Sequence, residues 1–136
     1  MNTNQNLILL RGLPGAGKSS FAELISENKC YPIFSVDDYF TDENGIYTFE
    51  FSKNHLAYAA CLNNTEKALK QGILKVIVHN TFTMEWEMQP YFKLAEKYLC
   101  RLYVMTVENY HGKYNLHEVN EEQIKKMAEK YHVKLF

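Results

Sequence analysis

The sequence predicts a three-layer α/β domain, a mostly parallel sheet of four or five strands flanked by helices. Three observations lead to it. Short apolar runs alternate with helical patterns from one end of the chain to the other, as successive βαβ units do. A glycine-rich segment, Gly12–Ser19, separates the first apolar run from the first helical pattern. Polar groups follow later apolar runs directly, at Asp37/Asp38 and at His79–Thr81. In an open α/β sheet the C-terminal edge of the strands is where ligands bind.

The elements follow in order. Leu7-Ile8-Leu9-Leu10 is short and continuously apolar, as a strand buried on both faces should be. A helix is expected from about Lys18 to Asn28, with Phe21, Ala22, Leu24 and Ile25 facing inward. Residues 32–36 make the second strand. Asp42-Glu43-Asn44-Gly45 is a turn signal between aromatic residues. Ser52 is expected to cap a long helix that ends near Gly72, which suits a C′ position. Residues 73–78 are the third strand. Thr83 can cap a short helical turn, and Pro90 is expected to open the next helix, which runs to about Leu99. Residues 100–107 are the fourth strand, and a polar, lid-like loop covers about 109–119. Asn120 and Gln123 resemble a capping box, and Ile124, Met127, Ala128 and Tyr131 have the spacing of an amphipathic last helix. Whether residues 132–136 add a fifth strand is open.

With 136 residues, 46% hydrophobic and 23% charged, the chain has the size and composition of one soluble domain over residues 1–136. No apolar run approaches the ~20 residues of a membrane span, and the first six residues lack the pattern of a signal peptide. Cys30, Cys61 and Cys100 form no C-x-x-C pair, so free thiols in a reducing, cytoplasmic setting are expected. Fifteen Lys+Arg against sixteen Asp+Glu give a net charge of −1. That argues against bulk coating of nucleic acid, and leaves room for a local phosphate grip. Histidines and cysteines show no zinc-ligand spacing.

Gly12-Leu13-Pro14-Gly15-Ala16-Gly17-Lys18-Ser19 matches G-x-x-x-x-G-K-[ST] in full. Its glycines let the backbone fold around a β-phosphate with N–H groups inward, and the following helix aims its positive end at the anion. Lys18 is expected to reach the β/γ-phosphates and Ser19 to hold Mg²⁺. These eight residues and the adjoining Ser20 form the expected site for a nucleoside triphosphate, ATP or GTP. A dinucleotide loop is the nearest rival, but Ser20 stands where its third glycine belongs. Asp37 and Asp38 offer a carboxylate to take a proton from an attacking hydroxyl or to serve the metal. A solvated pair opening a turn is the plainer reading.

The blocks Arg11–Ser19, Phe34-Ser-Val-Asp-Asp-Tyr-Phe40, Val76-Ile-Val-His-Asn-Thr-Phe-Thr83, Trp86-Glu and Pro90-Tyr91 occur in one order along nearly the whole chain. Together they resemble a P-loop kinase family. It includes bacterial and bacteriophage polynucleotide 5′-hydroxyl kinases and the kinase-like domain of an animal ubiquitin-ligase-binding protein, with zeta-toxin-like relatives of the fold. His117-Glu-Val and Ile124–Met127 with Tyr131 are similar to that family's lid and tail. The resemblance implies a P-loop fold with the loop-bearing strand in the middle of the sheet. It implies Asp37 as general base, with Asp38 assisting the metal through water.

Three positions depart from the family pattern. His79 stands where the family has Asp, which makes it a candidate proton acceptor or acceptor-orienting group; a structural, hydrogen-bonded histidine is the other reading. Phe40 stands where related polynucleotide kinases carry Arg. Segment 109–136 contains no arginine, and Lys113, Lys125 and Lys126 cannot reproduce a bidentate grip. Arg11 could reach phosphate or serve the fold. Trp86, Tyr39, Phe40, Tyr47 and Phe49 could stack on a base or pack as a lid. The leading expectation is phosphoryl transfer to a polynucleotide 5′-hydroxyl. The alternatives are a nucleoside or sugar-nucleotide kinase acting on a small hydroxyl acceptor, and a nucleotide-binding module with little turnover. The oligomeric state is not legible.

Overall fold

The computed structural model describes residues 4–110, 121–129 and 131. In chain order the elements are β1 (Asn6–Arg11), α1 (Lys18–Ile25), β2 (Ile33–Phe34), α2 (Asn54–Lys70), β3 (Lys75–Asn80), α3 (Glu85–Lys97), β4 (Arg101–Thr106) and α4 (Glu121–Ala128). Two 3₁₀ turns, Val36–Phe40 and Phe51–Lys53, lie between β2 and α2. The strands form one parallel sheet in the order β2-β3-β1-β4, so β1, which carries the glycine-rich loop, is interior.

Alternation along the strands makes three layers. Leu7, Leu9, Val76 and Val78 point to one face and meet Ala57, Cys61, Ala68 and Leu69 of α2 and Met88, Tyr91, Leu94 and Ala95 of α3. Leu10 and Ile77 point to the other face, where Ala22 of α1 closes a smaller core with Ile8, Phe21 and Ile25. Each fully buried aliphatic side chain contributes about 1.5–3 kcal/mol. The buried residues of α2 recur at helical spacing from Ala57 to Leu69, and its one buried hydroxyl, on Thr65, donates to the Cys61 carbonyl at 2.8 Å.

Several boundaries differ from the expectation, each for a local reason. Helix α1 stops at Ile25 rather than near Asn28. The Ser26 hydroxyl donates to Glu23 O at 2.7 Å and accepts the Lys29 N–H at 2.9 Å. Lys75 of β3 donates to the Ile25 carbonyl at 2.8 Å, a cation at a helix C-terminus. The chain then leaves through Glu27, Asn28 and Lys29, all in the left-handed region with φ of 57°, 58° and 68°. Leu24, expected inward, is 71% exposed. Ser52 lies inside the second 3₁₀ turn and does not cap α2, whose first residue is Asn54. Gly72 does follow the end of α2 with φ 78°.

Pro90 sits inside α3 rather than opening it. The helix begins five residues earlier because the Glu87 carboxylate accepts the Met84 N–H at 3.0 Å. The carbonyl that Pro90 leaves without its helical partner belongs to Trp86, which is 68% exposed and open to water. Strand β3 runs to Asn80, two residues beyond the expected end, so His79 and Asn80 are strand residues. Most of the expected lid at 109–119, with Lys113 and the His117 block, lies outside the described residues. So do Asn120 of the expected capping box and the possible strand at 132–136.

Candidate active site

Strand β1 ends against β4: the Val107 N–H donates to Arg11 O at 2.7 Å. Gly12 then turns away, its N–H reaching Thr81 O at 3.3 Å. A Cβ at Gly12 would lie 2.7 Å from the Val107 carbonyl oxygen, so only glycine fits there. The loop closes with the Ala16 N–H on Leu13 O at 3.0 Å, and Gly17 at φ 101° delivers the chain into α1. Lys18 Nζ bends back to donate to the carbonyls of Gly12 at 2.8 Å and Leu13 at 2.9 Å. Burial pulls the Lys18 ammonium down to about 8, and the Asp37 carboxylate works in the opposite direction. Ser19 and Ser20 are exposed in the first turn of α1.

The aspartates are held by the turn after β2. Ser35 caps it: its hydroxyl accepts the Asp37 N–H at 3.2 Å, while the Asp38 carboxylate accepts the Ser35 N–H at 3.0 Å. Asp38 as a residue is exposed, yet its carboxylate is tucked under the turn. That desolvation raises its pKa, the Ser35 N–H lowers it, and the charge of Asp37 raises it. Asp37 therefore points its carboxylate elsewhere. It interacts with the Tyr47 hydroxyl, which is pushed up to about 12 by burial and then by that carboxylate.

Asn80, the last residue of β3, ties this turn to the sheet. Its Oδ1 accepts the Val36 N–H at 2.8 Å and the Ser35 hydroxyl at 3.3 Å. Its Nδ2 lies 3.9 Å from Cys61 Sγ, which the Tyr91 hydroxyl reaches at 3.2 Å. The Cys61 thiol is pushed up, first by burial. A continuous network thus runs from α3 through α2 and β3 to the aspartate turn.

Lys18, Asp37 and Asp38 are brought to one edge of the sheet, as the sequence suggested. His79 is half-buried and shares its strand face with Ile77, the face covered by α1; Asn80 points to the opposite face. Pleating therefore separates these neighbours. Cys61 and Tyr91 were not singled out from the sequence as parts of the site; Asn80 entered only within the polar group His79–Thr81, and Tyr47 only as a ring that could stack or pack. The signal for Asn80 was its place at a strand end beside the aspartates. Arg11 is buried. Its Nε and Nη2 donate to Phe82 O at 3.2 and 2.9 Å, and Nη2 also reaches Thr83 O at 3.4 Å. Its guanidinium lies 4.5 Å from the centre of the Tyr131 ring, and the Tyr131 hydroxyl donates to Thr81 O.

Among the described residues no group of three or more His, Cys, Asp or Glu gathers to hold a metal. Mg²⁺ bound with a phosphate substrate needs only one or two protein oxygens, because phosphates and water complete its octahedron. The Ser19 hydroxyl and a carboxylate of the Asp37–Asp38 turn fit that donor set. No described helix is long and apolar enough to cross a membrane.

The family model AAA_33, described as an AAA domain, matches residues 7–133. NEDD4-binding protein 2 of Homo sapiens is 35% identical over 133 residues, which cover 92% of this chain and 8% of that protein. Among solved structures, a Pnkp1/Rnl/Hen1 complex matches with a TM-score of 0.64 at 18% identity, covering 100% of this chain and 42% of the matched one. The APS kinase CysC of Mycobacterium tuberculosis matches with a TM-score of 0.56 at 12% identity, covering 95% and 98%. A gluconokinase from Sinorhizobium meliloti matches with a TM-score of 0.57 at 16% identity, covering 97% and 78%. At these identities the solved structures show the fold: a P-loop kinase-like parallel sheet flanked by helices.

Proposed function

This chain belongs to the AAA domain family, as a P-loop kinase-like member, and we propose that it transfers the γ-phosphoryl group of ATP or GTP to the 5′-hydroxyl of a polynucleotide. The observation that carries this reading is the convergence of Lys18 and Asp37 on the C-terminal edge of the sheet, where the Asp37 carboxylate acts on the Lys18 ammonium. The backbone of Gly12–Ser19 receives the β-phosphate, and Lys18 exchanges its two loop carbonyls for β/γ-phosphate oxygens. Asp37 accepts the acceptor hydroxyl's proton as that oxygen bonds to the γ-phosphorus and the bond to the β–γ bridging oxygen breaks. Ser19 and Asp38 would hold Mg²⁺, which when bound neutralises charge on the phosphates. His79, on the α1 face, would act on this site from the phosphate side. Three free cysteines suit a reducing, cytoplasmic setting.

A second reading is a nucleotide-binding module with little turnover, and the placement of the arginines favours it. The sequence has two, Arg11 and Arg101. Arg11 is spent on the Phe82 and Thr83 carbonyls, and Arg101 pairs with Asn6 at the opposite end of the sheet from the loop. An arginine on the transferring phosphoryl is worth roughly 10³–10⁵ in rate.

The test is transfer of labelled γ-phosphate from Mg·ATP to 5′-hydroxyl DNA and RNA oligonucleotides and to free nucleosides. Transfer that Asp37→Ala abolishes, with nucleotide binding kept, supports the kinase. Lys18-dependent binding without transfer to any acceptor supports the module.

A further inference from the structure

The segment after Asp37 and Asp38 folds back on itself. Thr41 and Tyr47 form an antiparallel bridge, the Asp42 carboxylate accepts the Asn44 and Ile46 N–H groups at 2.8 and 2.9 Å, and Gly45 turns the chain at φ 79°. The Thr48 N–H closes onto Phe40 O at 2.8 Å. Inside this fold Phe40 is buried and serves as a hub. Its ring meets those of Tyr39, Tyr47 and Phe49 edge-on, with centroids 5.3, 6.3 and 5.1 Å apart. The three outer rings remain 42%, 36% and 49% exposed. A cluster of rings held in place by a buried fourth differs from scattered surface aromatics, and its ordering entropy is already spent before any ligand arrives.

Two further observations say what the cluster would take. The first is position: the Tyr47 hydroxyl bonds to the Asp37 carboxylate, so the ring surface is continuous with the candidate base. The second is charge. Asp42 and Glu50 line the surface beside Tyr39 and Phe40, Asp37 meets Tyr47, and Lys53 on the same surface pairs with Glu50 at 3.6 Å. Such a surface repels phosphate and tolerates an uncharged ring. The terminal nucleoside of a 5′-hydroxyl strand has no phosphate on its 5′ side, and a free nucleoside has none at all.

We propose that Tyr39, Tyr47 and Phe49 form a stacking platform for the uncharged, hydroxyl-bearing nucleoside of the acceptor, setting its 5′-oxygen beside Asp37. This rests on the phosphoryl-transfer reading above and names the acceptor surface within it. Base–aromatic stacking tolerates any base, so the platform reads the presence of a base rather than its identity. Because it involves no phosphate contact, acceptor binding here does not weaken as salt is raised, unlike binding through lysines.

The test is steady-state transfer from Mg·ATP to three acceptors: a 5′-hydroxyl dinucleotide, adenosine, and a matching dinucleotide whose 5′ unit is abasic. Phe49→Ala raises the acceptor KM roughly 5- to 150-fold, the range one stacked base supplies, and leaves the ATP KM unchanged. Phe49→Trp restores the wild-type KM and Phe49→Leu does not. The wild type handles the abasic acceptor as poorly as Phe49→Ala handles the intact one. The ratio of dinucleotide to adenosine KM tells the strand end from the free nucleoside as source. Unchanged acceptor KM in Phe49→Ala, equal rescue by Leu, or equal use of the abasic acceptor overturns the platform. If the wild type transfers phosphate to no acceptor, the phosphoryl-transfer reading fails by itself. The platform is then decided by binding: ring-proton NMR titration with adenosine and the dinucleotide must saturate in the wild type and weaken in Phe49→Ala. Absence of saturable binding overturns it.

Discussion

The side chain of Asn80 accepts the Val36 N–H at 2.8 Å, so the last residue of one strand holds the turn that carries Asp37. The bond is buried, and its loss leaves a backbone donor without a partner away from water. Asn80→Ala is expected to destabilise the protein by about 1–3 kcal/mol in urea unfolding. It should also lower turnover while leaving nucleotide affinity near wild type, because the loop Gly12–Ser19 does not depend on it. Asn80→Ser, too short to reach Val36, should behave like Ala. A wild-type melting curve for Asn80→Ala would show that the turn holds itself.

Lys18 titrates near 8 in the folded protein, against about 10.5 for a free lysine. The sign follows from proton counts. Between these values the unfolded chain binds more protons than the folded one, so stability rises with pH from about 8 to 10.5. Below 8 both states are protonated and the cost of the buried ammonium is fully present. Lys18→Met should remove this rise, and the wild-type-minus-mutant difference in unfolding free energy should change by up to about 3 kcal/mol across the window. A difference flat in pH contradicts the placement of Lys18.

In the proposed function the same lysine is expected to couple nucleotide binding to protons. A bound triphosphate favours the charged ammonium, so above pH 8 binding takes up a proton and affinity falls as pH rises. Calorimetry in buffers of different ionisation enthalpy measures the uptake. It should approach one proton near pH 10 and vanish near pH 6. Lys18→Ala should abolish it and weaken binding at least about tenfold, a loss of 1.4 kcal/mol.

Gly12→Ala places a methyl group 2.7 Å from the Val107 carbonyl, a backbone atom that cannot move aside without disturbing the loop. The expected cost is about 1–3 kcal/mol, together with weaker nucleotide binding. Thermal unfolding with and without Mg·ATP separates the two: the melting point falls, and the shift produced by nucleotide shrinks.

Arg11 acts on the fold. Removing its guanidinium leaves the Phe82 and Thr83 carbonyls short of donors and strips the cation from the Tyr131 ring. Arg11→Met should cost about 1–3 kcal/mol, and Arg11→Lys should recover little because a single ammonium cannot reproduce the fork. Nucleotide affinity in either variant, measured below its melting point, should stay near wild type. A selective loss of affinity at unchanged stability would put Arg11 on the phosphates instead.

The candidate nucleotide loop was legible in the sequence because its proposed chemistry is local. Eight consecutive residues supply the turn, the lysine and the helix start, so spacing along the chain is spacing in space. The aspartates were legible for a related reason: they directly follow an apolar strand, and parallel strands share one ligand-binding edge. The boundaries that differed were decided by partners far along the chain. Lys75 reaches the Ile25 carbonyl from fifty residues away, and Glu87 starts α3 ahead of a proline that would otherwise mark its beginning.

What the sequence by itself determined, then, was the layered parallel architecture, the glycine-rich loop at its ligand-binding edge and the family, all carried by periodicity and contiguous motifs. Tertiary structure alone decided which neighbours work together. Adjacent in the chain, His79 and Asn80 go to opposite faces of the sheet, because successive strand residues must. Asn80 instead joins Val36, Ser35 and Cys61, and Tyr47 joins Asp37 across a loop. These meetings depend on strand register and helix packing, which set which side chains reach one another but leave no fixed spacing in the sequence.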